Sequence, residues 1–239
     1  MGMFDDKVAT VTGAAGSIGS TVVEKFAREG AKIVLVDLHG DSCEKVVKKL
    51  EGIIGEHLIV SGDIGQPETV DEMVKKVEAK FGQIDIMAHI AGGFAMGDPV
   101  HALNIDVFEK MMYINARLTY VACGRVASYM LEKGVPGAIT CVLARAGLTG
   151  GKNMGAYSAS KAAAERIVQA MAQELKEHNI RVNGIMPSIV DTEPNRRDMP
   201  NADFSKWVSP TQIADVIAFL SSPAATSITG GSIPVYNKV

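Results

Sequence analysis

Short runs rich in β-branched residues, at 8–12, 32–36, 58–60, 84–89, 138–143 and 181–186, alternate along the chain with longer amphipathic stretches. The longer stretches cover 17–29, 41–50, 68–81, 107–132 and 156–178, and their apolar positions recur at helical spacing. Strands alternating with helices predict βαβ units and a parallel sheet. Such a sheet is covered by helices on both faces. The expected fold is therefore α/β: a single Rossmann-type three-layer domain over residues 1–239, built on a doubly wound parallel sheet. One long irregular stretch, 188–210, interrupts the alternation. A loop of that length inside a compact domain is usually functional, so it is read as a substrate loop within the domain.

Composition narrows the classes. Apolar residues make up 47% of the chain and charged residues 21%, enough for a large core and too little charge for disorder. The net charge is −3 and the most basic stretch, 45–49, has the spacing of a solvated helix face, which argues against nucleic acid as a partner. No apolar run reaches the roughly eighteen residues that a membrane span needs. The first residues lead straight into a strand pattern, so no secretory leader is expected. Cys43, Cys123 and Cys141 lack metal-ligand spacing and the five histidines are scattered, so the expectation is a reduced, cytoplasmic setting and no metal.

The first strand and helix enclose "TGAAGSIG", with Gly13, Gly16 and Gly19 three apart. Glycines there let the backbone turn sharply and approach a pyrophosphate, which the helix N-terminus attracts. The same glycines would also serve a plain strand-to-helix turn, and it is the context that favours a dinucleotide. Asp37 ends the second strand, eighteen residues after Gly19. A carboxylate there accepts from both hydroxyls of an adenosine ribose and repels a 2′-phosphate. No Arg or Lys lies between Gly13 and Gly19 or directly after Asp37, so NAD is expected over NADP. Asp63, after the third strand, is placed either to accept from an adenine amino group or to cap a turn.

Tyr157 and Lys161 stand four apart, on one face of a helix. An ammonium beside a phenol favours phenolate, and would pull the tyrosine from about 10 toward working pH, as acid/base catalysis needs. An isolated pair of this kind is otherwise a surface feature.

"TGAAGSIG", Asn115 in "YINA", "YSASK" (157–161) and "RVNGIMPSIVDT" (181–192) together resemble the short-chain dehydrogenase/reductase family, in order and spacing, over nearly the whole chain. The resemblance implies a nicotinamide cofactor, a small-molecule substrate and a homotetramer or homodimer. It implies Tyr157 as acid/base, Lys161 tuning it and holding the ribose, and Asn115 supporting a proton relay. It further implies cofactor contacts from Gly13, Ser17, Ile18, Gly19, Asp37, Asp63, Ile64, Ala91, Gly92, Tyr157, Lys161, Pro187, Ile189 and Thr192. The family's substrate-orienting serine is absent, since Ala144 stands thirteen residues before Tyr157. His89 occupies a position where an asparagine is common, and a core histidine fits it at least as well as a functional one.

"AGGFAMG" (91–97), Ala144 and the segment 191–210 are locally similar to one branch of the family, the dihydropteridine reductases. A carbonyl whose developing charge meets no serine donor is reduced slowly. A quinonoid or iminic acceptor spreads that charge, so the missing hydroxyl is expected to favour activated acceptors over simple ketones, with Thr149 a nearby substitute. Ala144, Phe94, Met154 and Trp207, with Met96, are the expected substrate contacts. Arg145, Arg196 or Arg197 would meet any anionic group. Trp207 alternatively anchors the loop, and Asn195 and Arg196 alternatively pin it. The first expectation is an NAD-dependent reductase or dehydrogenase, with a dihydropteridine-reductase-like enzyme as its narrower form. The rival is an NAD-binding sensor or scaffold with weak or no catalysis.

Overall fold

The computed structural model describes residues 2–239. Seven strands, β1 (Val8–Thr12), β2 (Lys32–Asp37), β3 (His57–Ser61), β4 (Ile86–His89), β5 (Gly137–Val142), β6 (Ile180–Pro187) and β7 (Ser232–Val235), form one parallel sheet in the order β3-β2-β1-β4-β5-β6-β7. The helices are α1 (Ser17–Arg28), α2 (Gly40–Lys49), α3 (Pro67–Phe81), α4 (Ile105–Met111), α5 (Gly124–Lys133), α6 (Gly155–Leu175), α7 (Glu193–Asp198) and α8 (Pro210–Ser221).

Side chains of a strand point alternately to its two faces, and both faces here are apolar. In β2, Ile33 and Leu35 face one core with α1, α2 and α8, while Val34 and Val36 face the other with α3, α5 and α6. The three-layer doubly wound expectation is met. Strand order reverses between β1 and β4, and a crevice opens at the carboxyl ends of those strands, where such folds bind ligands.

Four parts of the chain differ from the expected pattern. Helix α8 and strand β7 were not anticipated. The helix announces itself by Pro210 in its first turn and a reciprocal capping box between Ser209 and Gln212. Strand β7 carries Pro234, which suits its place at the sheet edge and weakens its strand signal. Segment 188–210 is less irregular than its sequence: it contains α7, a 3₁₀ turn at Phe204–Lys206 and a bridge between Val190 and Val208. The helical stretch at 107–132 is not uniformly α-helical. Between α4 and α5 the backbone passes through π-helical turns at Met112–Arg117 and Thr119–Cys123. Such turns are common near functional sites, and Asn115 sits in the first.

Candidate active site

At the carboxyl ends of β1, β2 and β3 lies a cavity of about 690 Å³, walled among others by Gly13, Ser17, Ile18, Gly19 and Asp37. Gly13 has φ +65, and a Cβ on Gly19 would stand 1.9 Å from the Gly13 carbonyl oxygen, so the turn folds back tightly on the start of α1. The residue preceding α1, Gly16, provides no side-chain cap. The first amides of the helix are thus left for an anion. Asp37 is locked at the cavity wall, its Oδ2 accepting from the Ala15 amide at 3.0 Å and its Oδ1 from the Leu38 amide at 2.8 Å. A carboxylate oxygen has further lone pairs, which suits a pair of ribose hydroxyls. Ile64, Ala91 and Gly92 line the same cavity, as does Thr192 from the far side.

Asp63 also lines this cavity, but its carboxylate is engaged by the protein. It accepts from the Tyr113 hydroxyl at 2.5 Å, the Gly65 amide at 2.9 Å and the Gln66 side-chain amide at 3.4 Å. Burial works to raise its pKa, yet these hydrogen bonds outweigh burial and hold it below the usual carboxylate range. Asp63 thus holds its own turn while lining the cavity, and Tyr113, which sequence reasoning passed over, becomes a wall of it.

A second cavity, of about 650 Å³, adjoins the first through Ile18, Ile90, Gly92 and Thr192. Tyr157 and Lys161, on the first turns of α6, both face it. The Lys161 ammonium is buried and donates to the Val142 carbonyl at 2.9 Å, and burial brings it down to about 8. The expectation that this ammonium draws the tyrosine pKa down is not met in this structure. Burial dominates instead and pushes the Tyr157 phenol up to about 12, while the Lys161 ammonium donates to the Val142 carbonyl.

Phe94 stands edge-on to the Tyr157 ring, at 4.9 Å and 89° between planes. Phe94, Ala144, Thr149 and Met154 all line the second cavity, with Pro187 and Ile189. Ala144 is buried and extended just ahead of a 3₁₀ turn at Arg145–Gly147. Met96 is exposed and outside the lining.

Asn115 lines neither cavity and is buried behind them. Its Oδ1 accepts from the Gly93 amide at 3.1 Å, and its Nδ2 donates to the Gly93 carbonyl at 3.0 Å and to Ser160 Oγ at 3.1 Å. The Ser160 hydroxyl donates onward to the Tyr157 carbonyl at 2.8 Å. A Cβ on Gly92 would come within 2.8 Å of Asn115 Oδ1 and 3.4 Å of Lys161 Nζ, so only glycine fits between these groups. His89 is a core histidine. It shares a 2.9 Å hydrogen bond with Thr12 Oγ1, and burial, reinforced by the Lys161 charge, lowers it to about 3, so the ring is neutral.

Segment 188–210 divides into wall and anchor. Ser188, Ile189, Thr192, Asn195 and Met199 contribute to the second cavity. Thr192 caps α7, and the Asn195 side chain donates to the Val190 carbonyl at 2.8 Å. Arg196 is spent in a two-pronged pair with Asp191, at 2.5 and 2.8 Å, and lies over Phe204 at 4.7 Å. Arg197 is exposed and lines neither cavity. Trp207, expected as a substrate contact, is not in the cavity wall. It is 5% exposed and packs on Phe204 at 4.8 Å, a fixed point at the base of the loop. Among the described residues no cluster of His, Cys, Asp or Glu is arranged to hold a metal ion, and no helix is long and apolar enough to cross a membrane.

This geometry is matched by the comparisons with known proteins. Residues 13–236 match the family model described as enoyl-(acyl carrier protein) reductase. The chain belongs to the short-chain dehydrogenase/reductase family. It is 33% identical to the D-threitol dehydrogenase of Mycolicibacterium smegmatis, over 97% of this chain and 92% of that one. Among solved structures it is similar to NAD⁺-bound xylitol dehydrogenase, with TM-score 0.91 and 27% identity over 98% of this chain and 99% of that chain. It is also similar to a 7α-hydroxysteroid dehydrogenase complexed with NADH and 7-oxo glycochenodeoxycholic acid, with TM-score 0.88 and 29% identity over 98% and 94% of the two chains.

Proposed function

We propose that the protein is an NAD(H)-dependent oxidoreductase acting on a small carbonyl or alcohol, or on an activated quinonoid or iminic acceptor, with Tyr157 as the acid/base. The observation that carries this is the continuity of the two cavities: a glycine cradle closed by Asp37 runs into a chamber faced by Tyr157 and Lys161. The cradle's Gly13 and Gly19 leave no room for side chains, as a backbone that approaches a pyrophosphate requires. Gly13, Ser17, Ile18 and Gly19 would hold the phosphates, Asp37 the ribose, and Thr192, Pro187 and Ile189 the nicotinamide end.

When bound, the nicotinamide supplies or accepts the hydride. Tyr157 Oη holds the proton that the substrate oxygen or nitrogen exchanges. At about 12 the phenol is fully protonated at neutral pH, which suits proton donation in the reducing direction. Lys161 stands one turn away, and a ribose hydroxyl that draws it from the Val142 carbonyl would bring its charge to the phenol. Asn115 fixes Gly93, and through it the Phe94 wall beside Tyr157. Segment 188–210 supplies the remaining wall and is read as the substrate loop of a single domain spanning 1–239.

The narrower reading, an enzyme for flat conjugated acceptors like the dihydropteridine reductases, draws support from Ala144. It lines the chamber where a serine would donate, and Thr149 lines it as well. We place the protein in the cytoplasm, on its buried free cysteines, and as a homodimer or homotetramer, on the exposed Ile105, Phe108 and Tyr120 around α4. NADH oxidation against quinonoid dihydropterin, quinones, cyclic imines and ketones tests the reading, with Tyr157→Phe as the control. An enzyme loses turnover in that variant and keeps NADH binding. A wild-type chain that binds NADH but oxidises it with none of these acceptors would be the sensor instead.

A further inference from the structure

Arg145 begins the 3₁₀ turn directly after Ala144 and lines the same chamber as Tyr157. Its guanidinium lies over the Tyr236 ring at 5.0 Å. Contact with a ring face leaves the guanidinium N–H groups unspent. Arg145 has no ionic or hydrogen-bonded partner among the described residues. Most other arginines do: Arg196 is bound to Asp191, Arg125 to Asp71, and Arg181 to the carbonyls of Leu220 and Ser222, whereas the unpaired Arg197 lies outside both cavities. The chamber wall holds no Asp or Glu side chain; its other charged groups are Lys161, which donates to the Val142 carbonyl, and the terminal carboxylate of Val239, which forms no ion pair with Arg145. The remaining wall is largely apolar, with Phe94, Leu143, Met154 and Met199.

A chamber lined by an unpaired arginine, with no Asp or Glu side chain and largely apolar walls, suits an anion with an apolar body. We propose that Arg145 is a substrate-binding residue, and that the substrate is a small carboxylate-bearing oxo or hydroxy compound. Its carboxylate pairs with the N–H edge of Arg145, and its reactive carbon is presented to Tyr157. The planar fork of arginine matches a carboxylate in two parallel hydrogen bonds, which sets orientation as well as affinity. This rests on the oxidoreductase reading above and specifies its substrate.

The test uses the full chain with NADH and a matched pair of probes, 4-oxocyclohexanecarboxylate and its neutral carboxamide. Binding to the enzyme–NADH complex is measured by calorimetry and turnover by NADH oxidation. A charge-assisted bidentate pair should favour the acid over the amide by about tenfold or more. In Arg145→Gln that ratio should fall toward one, and Arg145→Lys should keep part of it, with NADH affinity checking that each variant is folded. Equal binding of the two probes by the wild type, including no binding of either, overturns the proposal, as does a ratio that survives in Arg145→Gln. Inorganic phosphate displacing the acid as effectively as a simple carboxylate does would overturn the carboxylate assignment. Acid-selective binding without turnover of any acceptor would overturn the oxidoreductase reading and leave this one standing.

Discussion

Asn115 and Gly93 hold each other from both sides: the asparagine Oδ1 accepts the glycine N–H at 3.1 Å, and its Nδ2 donates to the glycine carbonyl at 3.0 Å. The side chain thus acts as one rung of a ladder, tying the strand-end loop that carries Phe94 to the π-helical turn. A third bond reaches Ser160, and through it the backbone of Tyr157. Asn115→Ala leaves these groups unpaired behind the cavity wall and should cost about 1–3 kcal/mol in urea unfolding. Turnover should fall more than NADH affinity, since the cradle itself is untouched. An Asn115→Ala enzyme with unchanged kcat would remove Asn115 from the site.

Asp37 is expected to choose the cofactor. It is pinned by two backbone amides, so its charge has a fixed place at the cavity wall. Asp37→Asn keeps an acceptor and loses the charge. The KM for NADH should rise about tenfold or more, in keeping with the loss of charged hydrogen bonds, and the discrimination against NADPH should collapse. Steady-state kinetics with both cofactors decide it, and a wild-type preference for NADPH would sink the assignment of Asp37.

Acid stability should report on His89. Its pKa falls from 6.5 to about 3 in the fold, so the unfolded chain takes up a proton first as pH drops. The stability it contributes is complete above pH 6.5 and is lost between 6.5 and 3, at no more than about 1.4 kcal/mol per pH unit. Lys161, lowered to about 8, has the same sign at higher pH, and stability should rise from pH 8 toward 10.5. Tyr157, raised to about 12, has the opposite sign and takes stability away from pH 10 upward. Urea midpoints from pH 4 to 7 should fall with acid in the wild type and flatten in His89→Gln. A variant with the same acid slope would place the titration elsewhere.

Restoring a hydroxyl at Ala144 tests what its absence does. Ala144→Ser should raise kcat/KM for simple ketones by about 10- to 100-fold, toward the contribution of an oxyanion donor, and leave quinonoid acceptors nearly unchanged. If ketone reduction does not rise, the alanine is not what sets the acceptor preference.

The layers of the fold were legible because parallel strands and amphipathic helices impose two different periods on the sequence. The glycine cradle was legible because its spacing is forced by backbone contact, as the 1.9 Å approach at Gly19 illustrates. What escaped was set by depth and by partners distant in sequence. Tyr157 reads as an activated phenol beside a lysine, but only the structure reveals that Lys161 bonds to Val142 and that burial governs both groups. Asp63 reads as an adenine contact or a turn residue, and nothing local in the sequence reveals that Tyr113, fifty positions away, lies on its carboxylate. Trp207 reads as a substrate contact or as an anchor of its loop, and its burial against Phe204, which favours the anchor, is a matter of loop packing that no local pattern records.

That burial gives the chain a built-in optical probe. Trp207 is the sole tryptophan, and it sits where segment 188–210 meets the carboxyl-terminal residues, its carbonyl held by Asn237 at 2.8 Å. Its fluorescence therefore comes from one address, at the foot of the chamber's outer wall and away from the reacting groups. Any rearrangement of that wall can be timed in the unlabelled wild-type protein, mixed with one ligand after another.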